Sequence, residues 1–77
     1  MEIENGFGII LRQYRTKREL SQEDLANNCD LDRTYISMLE LGKRNPTVKT
    51  VFVLAKELGI SPSKLIREVE QIIATKK

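Results

Sequence analysis

A chain of 77 residues with a formal net charge of only +2 makes one small domain, 1–77, near the size at which a single core supplies only a few kcal/mol, so self-association would help it. One cysteine and no histidine exclude an intrachain disulfide and argue against a metal site, and they suit a reducing, cytoplasmic setting. No apolar run approaches the ~20 residues of a membrane span, the acidic start Met1-Glu2-Ile3-Glu4 is unlike a signal peptide, and the charge is too weak to argue for nucleic acid by itself.

In chain order, Asn5 is placed to cap a first helix running to about Glu19. Phe7, Leu11 and Tyr14 fall at i, i+4 and i+7 on its buried side, Ile10 widens the stripe and Ile9 points elsewhere. Arg12, Arg15, Lys17 and Arg18 make this helix basic. The run SQEDLANNCDLDRTYISMLELG, residues 21–42, predicts two short helices joined by a tight turn. Ser21 and Asp24 can form a reciprocal capping box, with Leu25 and Ala26 on the inner face. The chain breaks at Cys29-Asp30-Leu31, Asp32 caps the next helix, and that helix runs from Arg33 to about Leu41 before Gly42 ends it.

Within this third helix Ile36 and Leu39 turn inward. Arg33, Thr34, Ser37 and Met38 turn outward near its N-terminal end, where a recognition helix meets base edges in a major groove. Arginine can donate two bonds to a guanine, threonine can bond a base or touch a thymine methyl, and serine can bond either. Met38 fits surface filler as well as a thymine methyl. Gln22 lies in the first turn of the second helix, beside free N–H groups suited to a phosphate. Lys43, Arg44 and Asn45 form a basic connector, with Arg44 placed for a phosphate or a minor groove. Pro46 keeps Asn45 out of helical geometry.

Thr47 is predicted to cap a fourth helix with Val48, Val51, Phe52, Ala55 and Leu58 on one face, ended by Gly59. Ser61-Pro62 opens a fifth, 62–75, with an apolar stripe of Leu65, Ile66, Val69, Ile72 and Ile73. A small core can use Leu65 and Ile66, but the stripe continues further than so small a domain readily covers. Val53 lies opposite its helix's apolar face, near Ile60. The expected homodimer interface is therefore Val53, Ile60, Leu65 and Val69, with Ile72 or Ile73 at the edge. No alternating strand pattern occurs, so the expected fold is all-α. Cys29 reads as a small buried hydrophobe.

The run LDRTYIS (Leu31 to Ser37), with Glu40, Gly42 and Arg44-Asn45, resembles the Cro/C1-type (XRE) helix-turn-helix repressors, and restriction–modification controller proteins in particular. The resemblance covers residues 7 to 66. It implies a five-helix, lambda-repressor-like domain that binds a palindromic double-stranded operator as a homodimer and regulates its own gene and that of an endonuclease. It further implies a backbone contact for Gln22, a phosphate or deformed base step for Tyr35, and an ion pair between Arg15 and Glu40. No cofactor, metal, membrane or small-molecule ligand is expected. Without a histidine base, a Gly-rich phosphate loop or a paired-carboxylate cleft, neither is catalysis. The competing readings are a phage-type or antitoxin-type regulator with a protein antagonist, and a protein-interaction module of the same fold. The polar outer face of the third helix stands against the last, since a protein-binding helix would carry apolar anchors there.

Overall fold

Four of the helix starts are written in the sequence as side chains able to accept a free backbone N–H. In the computed structural model, which describes residues 1–75, the chain forms α1 (Ile3–Lys17), α2 (Gln22–Cys29), α3 (Arg33–Glu40), α4 (Val48–Leu58) and α5 (Pro62–Thr75). Positions 76 and 77 of the predicted domain lie outside the described residues. Ser21 Oγ accepts the Asp24 N–H at 2.9 Å while Asp24 accepts the Ser21 N–H at 3.1 Å, a complete capping box. Asp32 accepts from the Thr34 N–H, Thr47 from Thr50 and Ser61 from Lys64.

The first four helices end alike. Each closes with a residue of positive φ whose own N–H bonds three residues back, while the next N–H bonds five residues back. Gly42 and Gly59 hold two of these positions, as the sequence predicts, at φ +76° each. The other two are held by Glu19 (φ 58°) and Asp30 (φ 57°).

The start of α1 departs from expectation. Glu2 occupies the cap position with no side-chain cap bond, and Asn5 lies inside the helix with its side chain against Gly42. α5 covers the helix just beyond this extra turn: a Cβ at Gly6 would meet Ile73 at 2.9 Å and Ile72 at 3.4 Å. The helix stops at Lys17, with Arg18 as its cap. α1 also approaches α3 closely. A Cβ on Gly8 would lie 2.5 Å from the Leu39 carbonyl oxygen and 2.6 Å from that of Glu40, so only glycine permits this contact.

α1 packs on α3 and α5, α2 on α3 and α4, and α4 on α5. Phe7, Leu11, Leu25, Ile36, Leu39, Leu54, Leu58 and Leu65 are the large, fully buried side chains at the centre. Two faces are rotated from their predicted positions. α4 buries Thr50, Val51, Leu54, Ala55 and Leu58, whereas Val48 and Phe52, expected inside, are 75% and 58% exposed. Val53, expected opposite the apolar face, packs half-buried against the core. In α5, Leu65 (0% exposed) and Val69 (4%) belong to the core of the single chain, and Ile66, expected inside, is 47% exposed. Leu65 and Val69 therefore cannot form the dimer surface predicted for them. Ile72 and Ile73 are half-buried, closing over α1.

A hydrogen bond from the Tyr14 hydroxyl to Glu68 joins α1 to α5. It holds the phenol's pKa above its ordinary value of 10.0, first through the bond itself, then through burial and the Glu68 charge. A raised folded-state value means the bond's contribution is complete below pH 10 and disappears as pH rises through the raised value. Tyr14→Phe should cost about 1 kcal/mol at neutral pH, less than is usual for a charged acceptor because the pair is half-exposed. Urea unfolding of both proteins at pH 7 and in strongly alkaline buffer checks this: the gap between them should close at the alkaline end.

Candidate nucleic-acid interface

α3 is eight residues long, too short to hold its own geometry in water. Three contacts hold it. Ile36 and Leu39 are fully buried beneath it, Asp32 fixes its first turn, and Glu40 fixes its last. Arg15 donates to Glu40 from Nε at 2.5 Å and from Nη2 at 3.0 Å, while its Nη1 donates to the Leu20 carbonyl at 2.7 Å. The two side chains are only 11% and 4% exposed. The fork makes a fixed-angle tie between α1 and α3.

Glu40 has a second partner that the sequence did not disclose. Gln22 Nε2 donates to Glu40 Oε1 at 3.1 Å, which brings the first turn of α2 into the same network. Glu40 thus touches α1, α2 and α3 together. The bond occupies one of the two Gln22 amide hydrogens and leaves the other without a partner among the described residues, close to the N–H groups of Gln22 and Glu23, while that of Asp24 is taken by the Ser21 hydroxyl.

On the outer side of α3, Arg33 and Thr34 are exposed, and Tyr35, Ser37 and Met38 are half-buried. Lys43, Arg44 and Asn45 are exposed on the bend that follows. Among the described residues, the side chains of Arg33, Thr34, Ser37, Lys43 and Asn45 make no hydrogen bond or ion pair within the chain. Their donors remain free for a partner. Arg44 has one neighbour of note: its guanidinium carbon lies 5.3 Å from the centre of the Tyr35 ring.

Cys29 is buried, with Sγ 3.9 Å from the Val53 carbonyl. Burial, and secondarily the Glu57 carboxylate, push its thiol pKa up, which opposes the thiolate needed for redox or nucleophilic chemistry. Among the described residues no cluster of acidic or sulfur side chains could hold a metal ion, and no helix is long and apolar enough to cross a membrane.

The predicted dimer residues fall into separate places. Val53 and Ile60 border a shallow apolar groove with Phe52, Lys56 and Pro62. Leu65 and Val69 lie within the core, and Ile72 and Ile73 sit on α1. What the sequence reading missed is the exposed set Val48, Phe52 and Ile66, which lines an adjoining groove of about 460 Å³ between α4 and α5. Its one legible signal was surplus: α4 and α5 carry more apolar residues than one face of each can bury.

The helix-turn-helix family model matches residues 11–65. Control protein C.BamHI of Bacillus amyloliquefaciens is 46% identical over 61 residues, covering 78% of this chain and 75% of its own length. Among solved structures, the restriction-modification controller protein C.AhdI from Aeromonas hydrophila superposes with a TM-score of 0.78 at 42% identity, over 80% of this chain and 94% of that one. The controller protein C.Esp1396I, solved as a tetramer in complex with its natural 35 base-pair operator, superposes with a TM-score of 0.76 at 33% identity, over 90% of this chain and 96% of that one.

The Arg15–Glu40 tie is open to direct test. Arg15→Ala leaves the Glu40 carboxylate buried with Gln22 as its remaining donor and should cost about 3–5 kcal/mol. Replacing both partners by apolar groups, Arg15→Met with Glu40→Leu, should recover much of that loss. Urea unfolding measures both. A cost below about 1 kcal/mol for Arg15→Ala would mean that the pair is effectively solvated.

Proposed function

Because the chain belongs to the helix-turn-helix family, we propose that it is a sequence-specific transcriptional regulator that binds an inverted-repeat DNA operator as a homodimer. Within that family the reading is a controller protein of a restriction–modification system, acting in the cytoplasm on its own gene and the endonuclease gene. The likeness to C.BamHI and C.AhdI supports the subtype. One observation carries the DNA reading: the free polar side chains of α3 stand at its N-terminal end, on a helix that Glu40 ties to two others.

The mechanism is binding rather than catalysis. Two copies of α3 enter successive major grooves roughly one helical turn, about 34 Å, apart, so a twofold dimer requires a twofold site. Arg33 donates its fork to guanine O6 and N7, and Thr34 and Ser37 read neighbouring bases. Tyr35 lies against a phosphate or a deformed step. Gln22, with the positive end of α2, and the connector residues Lys43, Arg44 and Asn45 hold phosphates and so set the register. Nothing in the net charge of +2 drives strong non-specific binding, so discrimination rests on these few contacts.

The dimer forms through the exposed apolar strip of α4 and α5. Phe52 stands at its centre, Val48 and Ile66 on one side, Val53 and Ile60 on the other, with Pro62 along both grooves. Three of these side chains are about half or more exposed in the single chain, and a second copy of the same strip would remove them from water.

Selection of bound DNA from a random pool tests the reading as a whole, since the recovered sites should be inverted repeats. On such a site Arg33→Ala and Thr34→Ala should each lose about 1–3 kcal/mol and relax preference at particular base pairs, with a smaller loss on random DNA. Equal losses on both would remove them as base readers. The dimer surface has its own test in sedimentation. Phe52→Glu should be monomeric at micromolar concentration with its helical content intact, and should bind the selected site far more weakly. Val69→Glu, by contrast, should unfold the chain, because it buries a charge in the core. A Phe52→Glu protein that remains dimeric would move the interface elsewhere.

A further inference from the structure

The connector between α3 and α4 carries the basic run Lys43-Arg44, yet little of its backbone is fastened. The Lys43 N–H bonds to the Met38 carbonyl, and Arg44 and Asn45 follow as exposed residues before Pro46. An arginine on such a bend samples many rotamers, and a contact made by it loses that freedom on binding. Arg44 is an exception among the outward-facing cations of this surface. Its guanidinium lies over the ring of Tyr35 at 5.3 Å from the centroid, within the range of a cation–π contact. The ring is the fixed member of the pair: Tyr35 belongs to α3 and packs half-buried against the core, directly after Arg33 and Thr34.

We infer that the face of the Tyr35 ring is a positioning surface for Arg44, holding the connector's guanidinium in register with the reading end of α3. The inference rests on the DNA-binding reading above and deepens it. Arg44 is then not an independent contact on a loose loop. It belongs to one rigid unit with Arg33 and Thr34, and part of its ordering is complete before DNA arrives. A planar guanidinium suits this role, because it stacks through its face while its edge donors remain free for a phosphate or a groove. The Tyr35 hydroxyl makes no hydrogen bond among the described residues, so the stacking surface and the hydroxyl are separable: phenylalanine keeps the first and loses the second.

A double-mutant cycle on a duplex recovered by selection from a random pool tests this, using Arg44→Ala, Tyr35→Leu, Tyr35→Phe and the two combinations with Arg44→Ala. Tyr35→Leu keeps apolar volume on the core side and removes the π face. Arg44→Ala should weaken the wild type about two- to fivefold more than it weakens Tyr35→Leu, the ratio expected of an exposed cation–π contact. In the Tyr35→Phe background the wild-type ratio should return, whatever the hydroxyl itself contributes to affinity. In the free protein, the Arg44 side-chain protons should show an upfield ring-current shift in nuclear magnetic resonance that is lost in Tyr35→Leu and kept in Tyr35→Phe. A ratio of one in both backgrounds overturns the inference, as does tighter binding by Tyr35→Leu, which would make the ring a competitor for Arg44 rather than its support. Failure of the wild type to bind any selected duplex is a separate result: it overturns the DNA-binding reading, and this inference with it.

Discussion

Glu40 is the point on which the arrangement of α1, α2 and α3 depends. It is almost wholly buried, and its two oxygens take three donors: two from Arg15 on α1 and one from Gln22 at the start of α2. Apolar contact fixes how far apart helices lie but leaves them free to slide and turn. A guanidinium fork on a carboxylate fixes direction as well as distance. The close passage of Gly8 against the carbonyls of Leu39 and Glu40 makes the same contact in a second way, by bringing the α1 backbone against the end of α3. A helix of eight residues is thereby held by its neighbours, and its outer face can be given over to polar side chains that make no hydrogen bond or ion pair among the described residues.

The fold divides its labour between two surfaces. One, at the outer side of α3 and the bend after it, is polar and largely unpaired within the chain. The other, where α4 meets α5, is apolar and exposed. α5 is what makes the second surface possible. Its inner side supplies Leu65 and Val69 to the core, its end closes over Gly6 through Ile72 and Ile73, and Tyr14 ties it down through Glu68. With α5 held in this way, Ile66 is left facing outward beside Phe52 and Val48. A chain this short buries a modest fraction of its surface, and pairing through that strip would extend the core across two copies.

Local chemistry was legible in the sequence, and relations between distant segments were less so. Ser21, Asp32, Thr47 and Ser61 announce helix starts because a cap is a contact within four residues, and Gly42 and Gly59 announce ends because glycine adopts left-handed backbone angles most readily. The inward side of α3 followed from its period. Glu19 and Asp30 hide two further helix ends, since residues other than glycine adopt the left-handed conformation there. The face of α4 was misread because Val48 and Phe52 are as apolar as Val51 and Leu54, and only the packing of α2 and α5 decides which pair is covered. The same degeneracy exchanged Ile66 for Val69 in α5. Gln22 and Glu40 lie 18 positions apart, and Tyr14 and Glu68 lie 54 apart; no periodicity connects such pairs. Of the candidate site, the outward polar set of α3 could be read from residue type and spacing, while the stacking of Arg44 on Tyr35 required the bend between α3 and α4 to be seen.

Cys29 sits on the seam between these two labours. It ends α2, which packs on α3, and its sulfur faces the Val53 carbonyl of α4, the helix that carries the exposed Val48 and Phe52. Closed, the seam hides the thiol and holds it protonated. Whenever α2 lifts from α4 the sulfur meets solvent, so the speed at which a thiol reagent consumes it is a clock for that opening. The molecule carries a single such atom, at the contact between α2 and α4, and its chemistry therefore keeps time for the parting of those two helices.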